Sequence, residues 1–175
     1  MRSVLGLSLL AAAALSLPTL VAQTPARPDP HAAMNHRGAD VMGFDQEKTT
    51  HHFLLYEDGG AIDVAVKSAS DTVNRDAIRA HLPHVAGLFG HGNFESPMIV
   101  HDTKKVPGTA EMARLKDKIT YTYVETPSGG RVDITTSDAA GVAAVHEFLR
   151  FQITDHKTGD SLAVRKRSAA PKRVS

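Results

Sequence analysis

Four short strand-like runs and two longer stretches with helical spacing of apolar residues organise this chain. The first two runs cover residues 51–56 and 61–66, joined through Glu57-Asp58-Gly59-Gly60. In the second run Ile62, Val64 and Val66 alternate with Ala61, Asp63 and Ala65, so one face is expected to be buried. Asp-Gly and Gly-Gly suit a tight hairpin turn, because glycine adopts positive φ without penalty. A helix follows, capped by Ser70 or Asp71, running to about Phe89 and ended by Gly90 and Gly92. Its apolar stripe is Ile78, Leu82, Val85, Leu88 and Phe89.

The same order then returns. Residues 119–125 and 131–136 flank Pro127-Ser128-Gly129-Gly130, and Asp138 can cap a helix to about His156, stopped near Gly159. Its stripe is Val142, Val145, Leu149 and Ile153. Between the halves, Met98-Ile99-Val100 reads as an extended piece and residues 109–118 as a brief helix. Two such units predict an α+β fold: duplicated β-β-α units, at about 49–92 and 119–159, form one antiparallel sheet with the two main helices on one face. Element order, double glycines and histidine spacing carry the duplication. His81 and His91 lie as far apart as His146 and His156.

The flanks read differently. Residues 1–22 combine Arg2, an apolar run from Val4 to Leu17, Pro18 and a small residue at Ala22. That pattern predicts a cleaved signal peptide and a periplasmic or secreted protein, with an uncleaved anchor as the alternative. No transmembrane helix is expected in the mature chain. Residues 23–48 hold Pro25, Pro28 and Pro30 and read as a flexible linker, with a loose scatter of His31, Met34, His36 and Met42. A single domain is expected over 49–160. Net charge is only +1, but Arg165, Lys166, Arg167, Lys172 and Arg173 make residues 161–175 a basic tail, expected to be disordered. No aromatic side chain interleaves with it, which argues against nucleic acid as a partner.

Chemistry must come from histidine, since the chain has ten histidines and no cysteine. His81 falls within the stripe of its helix, and His84 lies on the same side three residues on. Pro83 between them is expected to kink the helix. His146 borders the second stripe. His51 and His52 point to opposite faces of a strand, so one of them can meet the helices. The expected site is therefore His51, His52, His81, His84 and His146, holding copper or zinc; a haem between two helix histidines is a less favoured ligand. No HExxH, G-x-S-x-G, P-loop or CxxCH motif is present, so no catalytic residue is assigned. His101-Asp102 is the one pair that would suit a small hydrolase or isomerase. The competing reading is a metal-free protein- or ligand-binding module, forming a homodimer or meeting a protein partner through Phe148, Phe151 and the outer face of the sheet.

Several segments carry a resemblance. They are Met42-Gly43-Phe44, Lys48-Thr49-Thr50-His51-His52-Phe53, the Asp58-Gly59-Gly60 turn, and His146 to Ile153 followed by His156 and Thr158-Gly159-Asp160. Together they resemble a family of small secreted bacterial proteins of uncharacterised function over residues 42–160. The resemblance implies an exported bacterial domain and brings no catalytic residue with it.

Overall fold

A computed structural model describes residues 29–168. The elements in order are α1 (Pro30–Met42), β1 (Thr49–Tyr56), β2 (Gly59–Val66), α2 (Thr72–Gly90), α3 (Glu95–Val100) and α4 (Thr109–Arg114). A 3-10 turn (Lys116–Lys118), β3 (Thr120–Thr126), β4 (Gly129–Thr135) and α5 (Ala139–Asp155) complete the chain. The four strands form one antiparallel sheet in the order β1-β2-β4-β3. This is the α+β arrangement of two hairpin-plus-helix units expected from the sequence. The N-caps are Asp71 for α2 and Asp138 for α5, each carboxylate accepting backbone N–H groups of the first turn.

The two hairpins meet along the central β2–β4 pair, where Ile62 stands opposite Val132. Each main helix crosses to the other unit's hairpin: α2 packs on β3 and β4, and α5 on β1 and β2. A single core fills the space between them, with Ile78, Val132, Ile134, Val145 and Leu149 fully buried. The double glycines serve this packing. The turn between β1 and β2 is Glu57-Asp58, so Gly59 and Gly60 already lie in β2. A Cβ on Gly60 would stand 2.2 Å from Leu149 Cδ1 and 2.5 Å from the Leu54 carbonyl oxygen. On Gly130 it would meet Leu82 Cδ1 at 3.0 Å. Each hairpin is thus bared where the opposite helix presses a leucine onto it.

Four expectations are corrected. Residues 30–42, read as part of a flexible linker, form a helix. Asp29 caps it, Pro30 occupies its first turn, and Gly43 ends it in the left-handed region at φ +75°. Met98-Ile99-Val100 is the end of α3 rather than an extended piece. Residues 161–168 of the tail pack on the sheet: Arg165 N–H donates to the Leu55 carbonyl, and its own carbonyl accepts from Glu57 N–H, a bridge at the end of the open edge of β1. Phe148, offered as a partner surface, is 1% exposed and packs on Phe89 and Phe94 in the core. Pro83 lies on the exposed side of α2, and the helix continues past it to Gly90. The expected signal segment 1–22 lies outside the described residues. Among the described residues no helix is long and apolar enough to cross a membrane.

Candidate functional site: a histidine-walled chamber

The pleat of β1 decides between its adjacent histidines. Phe53 and Leu55 are buried under the helices, so His51 shares their face and His52 points to the other. His52 pairs there with Asp160 (Nδ1 to Oδ1, 2.8 Å), whose second oxygen accepts from Phe53 N–H at 2.9 Å. His84 is exposed on α2. His146 lies at the far end of the site from His51. Its Nε2 donates to the Tyr56 carbonyl at 2.8 Å and the Gly59 carbonyl at 3.0 Å, closing the β1–β2 turn. Tyr56 is five positions along the strand from His51, about 16 Å at a rise of ~3.3 Å per residue.

The expected metal set is therefore not one cluster. His146 is remote, and its Nε2, protonated to serve two carbonyls, has no lone pair for a metal. Among the described residues no three His, Asp or Glu side chains are grouped to hold an ion. The matched histidine spacings are not matched positions either. Counted from the caps Asp71 and Asp138, His146 is level with Arg79 and His156 with Phe89. Arg79 does for the second hairpin what His146 does for the first: it donates to the carbonyls of Thr126 at 2.7 Å and Gly129 at 3.3 Å. The duplication is real at the level of turn closure, and there the histidine is structural.

His51 and His81 do come together, with partners the sequence did not reveal. The Phe44 ring meets His51 at 5.8 Å, near-parallel, and His81 at 5.9 Å, edge-on. His156, the residue that caps the end of α5, stacks on His51 at 5.9 Å with ring planes 12° apart. His101 meets His156 edge-on at 4.9 Å. His31 of α1 donates from Nε2 to the His156 carbonyl at 3.3 Å. Five histidines thus gather where α1, β1, α2, α3 and α5 converge. His101 takes its carboxylate from α5: Nδ1 donates to Asp155 Oδ2 at 2.5 Å, and Nε2 meets Gln152 Oε1 at 3.0 Å. Its sequence neighbour Asp102 is not that partner; it sits in a left-handed turn at φ +48°.

Of these residues, Phe44, His51, His81, Gln152 and His156 border a chamber between the sheet and the helices with about 80 Å³ of free volume. Its walls are mostly apolar, supplied by Phe53, Val64, Leu82, Val85, Phe89 and Phe148 and by the ends of α1 and α3. His51, His81, Ser96, Gln152 and His156 are its polar members, and no Asp, Glu, Lys or Arg side chain lines it. Two polar atoms are buried without a partner, His51 Nε2 and Gln152 Nε2. Burial, reinforced by His52 and His81, pushes the His51 imidazole down to about 4. Burial, with His51, His101 and His31 adding to it, pushes His156 down to about 3. His81 is lowered by burial and by His84. At neutral pH the wall is uncharged. His51 and His156 also line an open surface groove of about 490 Å³ beside Thr49, Thr50 and Thr158. The stacked pair is the partition between groove and chamber.

No family model matches the chain, and no curated protein or solved structure matches it.

Proposed function

We propose that this protein is a binding module that holds a small uncharged molecule in the chamber under α2 and α5. One observation carries the reading. His51 and Gln152, each with a buried side-chain nitrogen that has no hydrogen-bond partner, are among the residues that line an otherwise mostly apolar chamber. Buried polar groups are rarely left unpaired, so an occupant that meets either side chain after a small turn is the natural complement. His51 and His156 line both the groove and the chamber, so a turn of this pair would join the two. An exported location, expected from residues 1–22, belongs to the same reading; cell fractionation checks it.

Melting of the purified protein in a panel of small neutral compounds tests the proposal. A binder raises Tm in proportion to its concentration. Val85→Phe, which fills the chamber, abolishes that rise. If no compound of suitable size shifts Tm, or if Val85→Phe responds as the parent does, the reading is wrong.

Copper or zinc binding is a second reading, favoured by the unbroken contacts His51–His156–His101 with His31 beside them. Its ligands would come from those four residues after side-chain rotation, without His146. Calorimetric titration with Cu(II) and Zn(II), beside His156→Phe, tests it. Near-stoichiometric binding lost in the variant supports it, and weak binding unchanged in the variant removes it.

A further inference from the structure

We infer that the free edge of β3 is a dimerisation surface, on which a second copy of this chain lays its own β3 antiparallel, joining the two sheets into one. In the order β1-β2-β4-β3, β1 and β3 are the outer strands. An outer strand turns the backbone N–H and C=O of every second residue away from its neighbour, where another extended chain can pair with them. The two hairpins are alike in this respect. Each is closed by a two-residue turn, with Tyr56 opposite Gly59 in the first and Thr126 opposite Gly129 in the second. Such a closing pair exchanges hydrogen bonds, so residues an odd number of steps from it present their backbone groups outward. These are Phe53 and Leu55 in β1, and Tyr121, Tyr123 and Glu125 in β3.

The first of these edges is already used. Phe53 N–H donates to Asp160 Oδ2 at 2.9 Å, and the Leu55 carbonyl accepts from Arg165 N–H at 3.1 Å. The outward backbone groups of Tyr121, Tyr123 and Glu125 have no such partner among the described residues. Nor does β3 carry what keeps an edge single. It has no proline, no lysine and no bulge, and its register with β4 is unbroken from Thr120 to Thr126. Its threonines, tyrosines and valine are residues that favour strands. A second copy fits because the strand is complementary to itself. With Tyr123 opposite Tyr123 of the second copy, Tyr121 meets Glu125 and Thr122 meets Val124. The outward residues then oppose one another, and all their hydrogen-bonding groups are paired. No like charges meet: Glu125 is the one carboxylate of β3, and Arg79 of its own chain holds it at 3.2 Å. No residue of β3 lines the chamber, so this surface stands apart from the proposed ligand site.

Sedimentation equilibrium of the full chain reads the association, and two double variants place it on β3. Thr122 and Val124 are exposed, and the pairing sets each against the other in the second copy. Thr122→Lys/Val124→Lys therefore puts lysine opposite lysine. The parent is expected to dimerise in the micromolar range. The lysine variant is expected to weaken the dimer at least about tenfold, and Thr122→Glu/Val124→Glu likewise, while an equimolar mixture of the two restores it. In the parent, amide exchange at Tyr121, Tyr123 and Glu125 is expected to slow as concentration rises. A parent that stays monomeric throughout that range overturns the inference. So does exchange at those three amides that is the same at every concentration, or a dimer that both variants leave equally tight. The amide measurement needs no variant, so it decides even if a substituted strand fails to fold.

Discussion

A histidine's hydrogen-bond partner determines its role here. His146 looked like a core-side ligand because it borders an apolar stripe. Its Nε2 instead satisfies two turn carbonyls, those of Tyr56 and Gly59. His146→Phe leaves both without that donor and is expected to destabilise by about 2 kcal/mol, read from the urea midpoint. Its effect on Zn(II) or Cu(II) affinity is expected to be nil, which calorimetry checks. His51 and His156 give a different signature. Their folded-state values near 4 and 3 lie below the unfolded value of about 6.5. The folded form therefore refuses a proton that the unfolded chain accepts, and stability rises with pH across that interval. It is complete above about 6.5 and is lost as pH falls toward 4. At pH 5 the loss is on the order of 2 kcal/mol for each residue. The lowered carboxylates Asp71 and Asp138 respond only at lower pH. Urea midpoints at pH 7 and 5, for the parent and for His156→Phe, check this; an equal drop in both would contradict it. The sequence made His51 and His81 visible through alternation and helical spacing. It could not show His156 beside His51 or Asp155 beside His101, because those pairs form only where the C-terminal ends of α3 and α5 meet β1.

At the scale of elements, the strands and both main helices were legible because pattern and caps agree. Asp71 and Asp138 stand at the helix starts, and Val64 and Ile134 mark the buried faces. The double glycines were legible as signals but not in their meaning. Turn chemistry suggested positive φ, which Gly59 does adopt at 130°, while Gly60 answers to the leucine and the carbonyl pressed against it. Gly60→Ala is expected to cost more than about 2 kcal/mol, since the Leu54 carbonyl belongs to the backbone and cannot swing aside. Thermal unfolding measures it, and a change within 0.5 kcal/mol, about the size of an ordinary surface substitution, would contradict the packing described. Helix α1 escaped the sequence reading for the opposite reason. Its apolar contacts are few, with Met34 and Gly38 the buried positions, and three nearby prolines mimic a linker. Pro30 is in fact at the first helical turn, where its missing N–H costs nothing.

The whole molecule is closed by its own C-terminal segment. The basic tail read as solvated because its partners are distant in sequence. Arg167 lies over the Tyr56 ring at 4.4 Å and donates to both Asp58 oxygens, to Asp133 and to the Gly60 carbonyl, joining the two hairpins on the outer face of the sheet. Arg167→Ala is expected to lower stability by roughly 1–3 kcal/mol and to leave ligand binding in the chamber unchanged, because the sheet separates the two. Urea unfolding and the Tm shift with the compounds that bind the parent check both parts. The chamber lies on the helix side of that sheet, walled by residues from six elements, and only the assembled fold creates it. Xenon tests it most directly, since the gas enters apolar cavities without needing polar partners. In methyl-labelled protein under xenon pressure, saturable shifts are expected at Val64, Val85, Val100 and Leu82, and they vanish in Val85→Phe. Shifts spread over the exposed surface, or none at the chamber methyls, would contradict a chamber open to ligands.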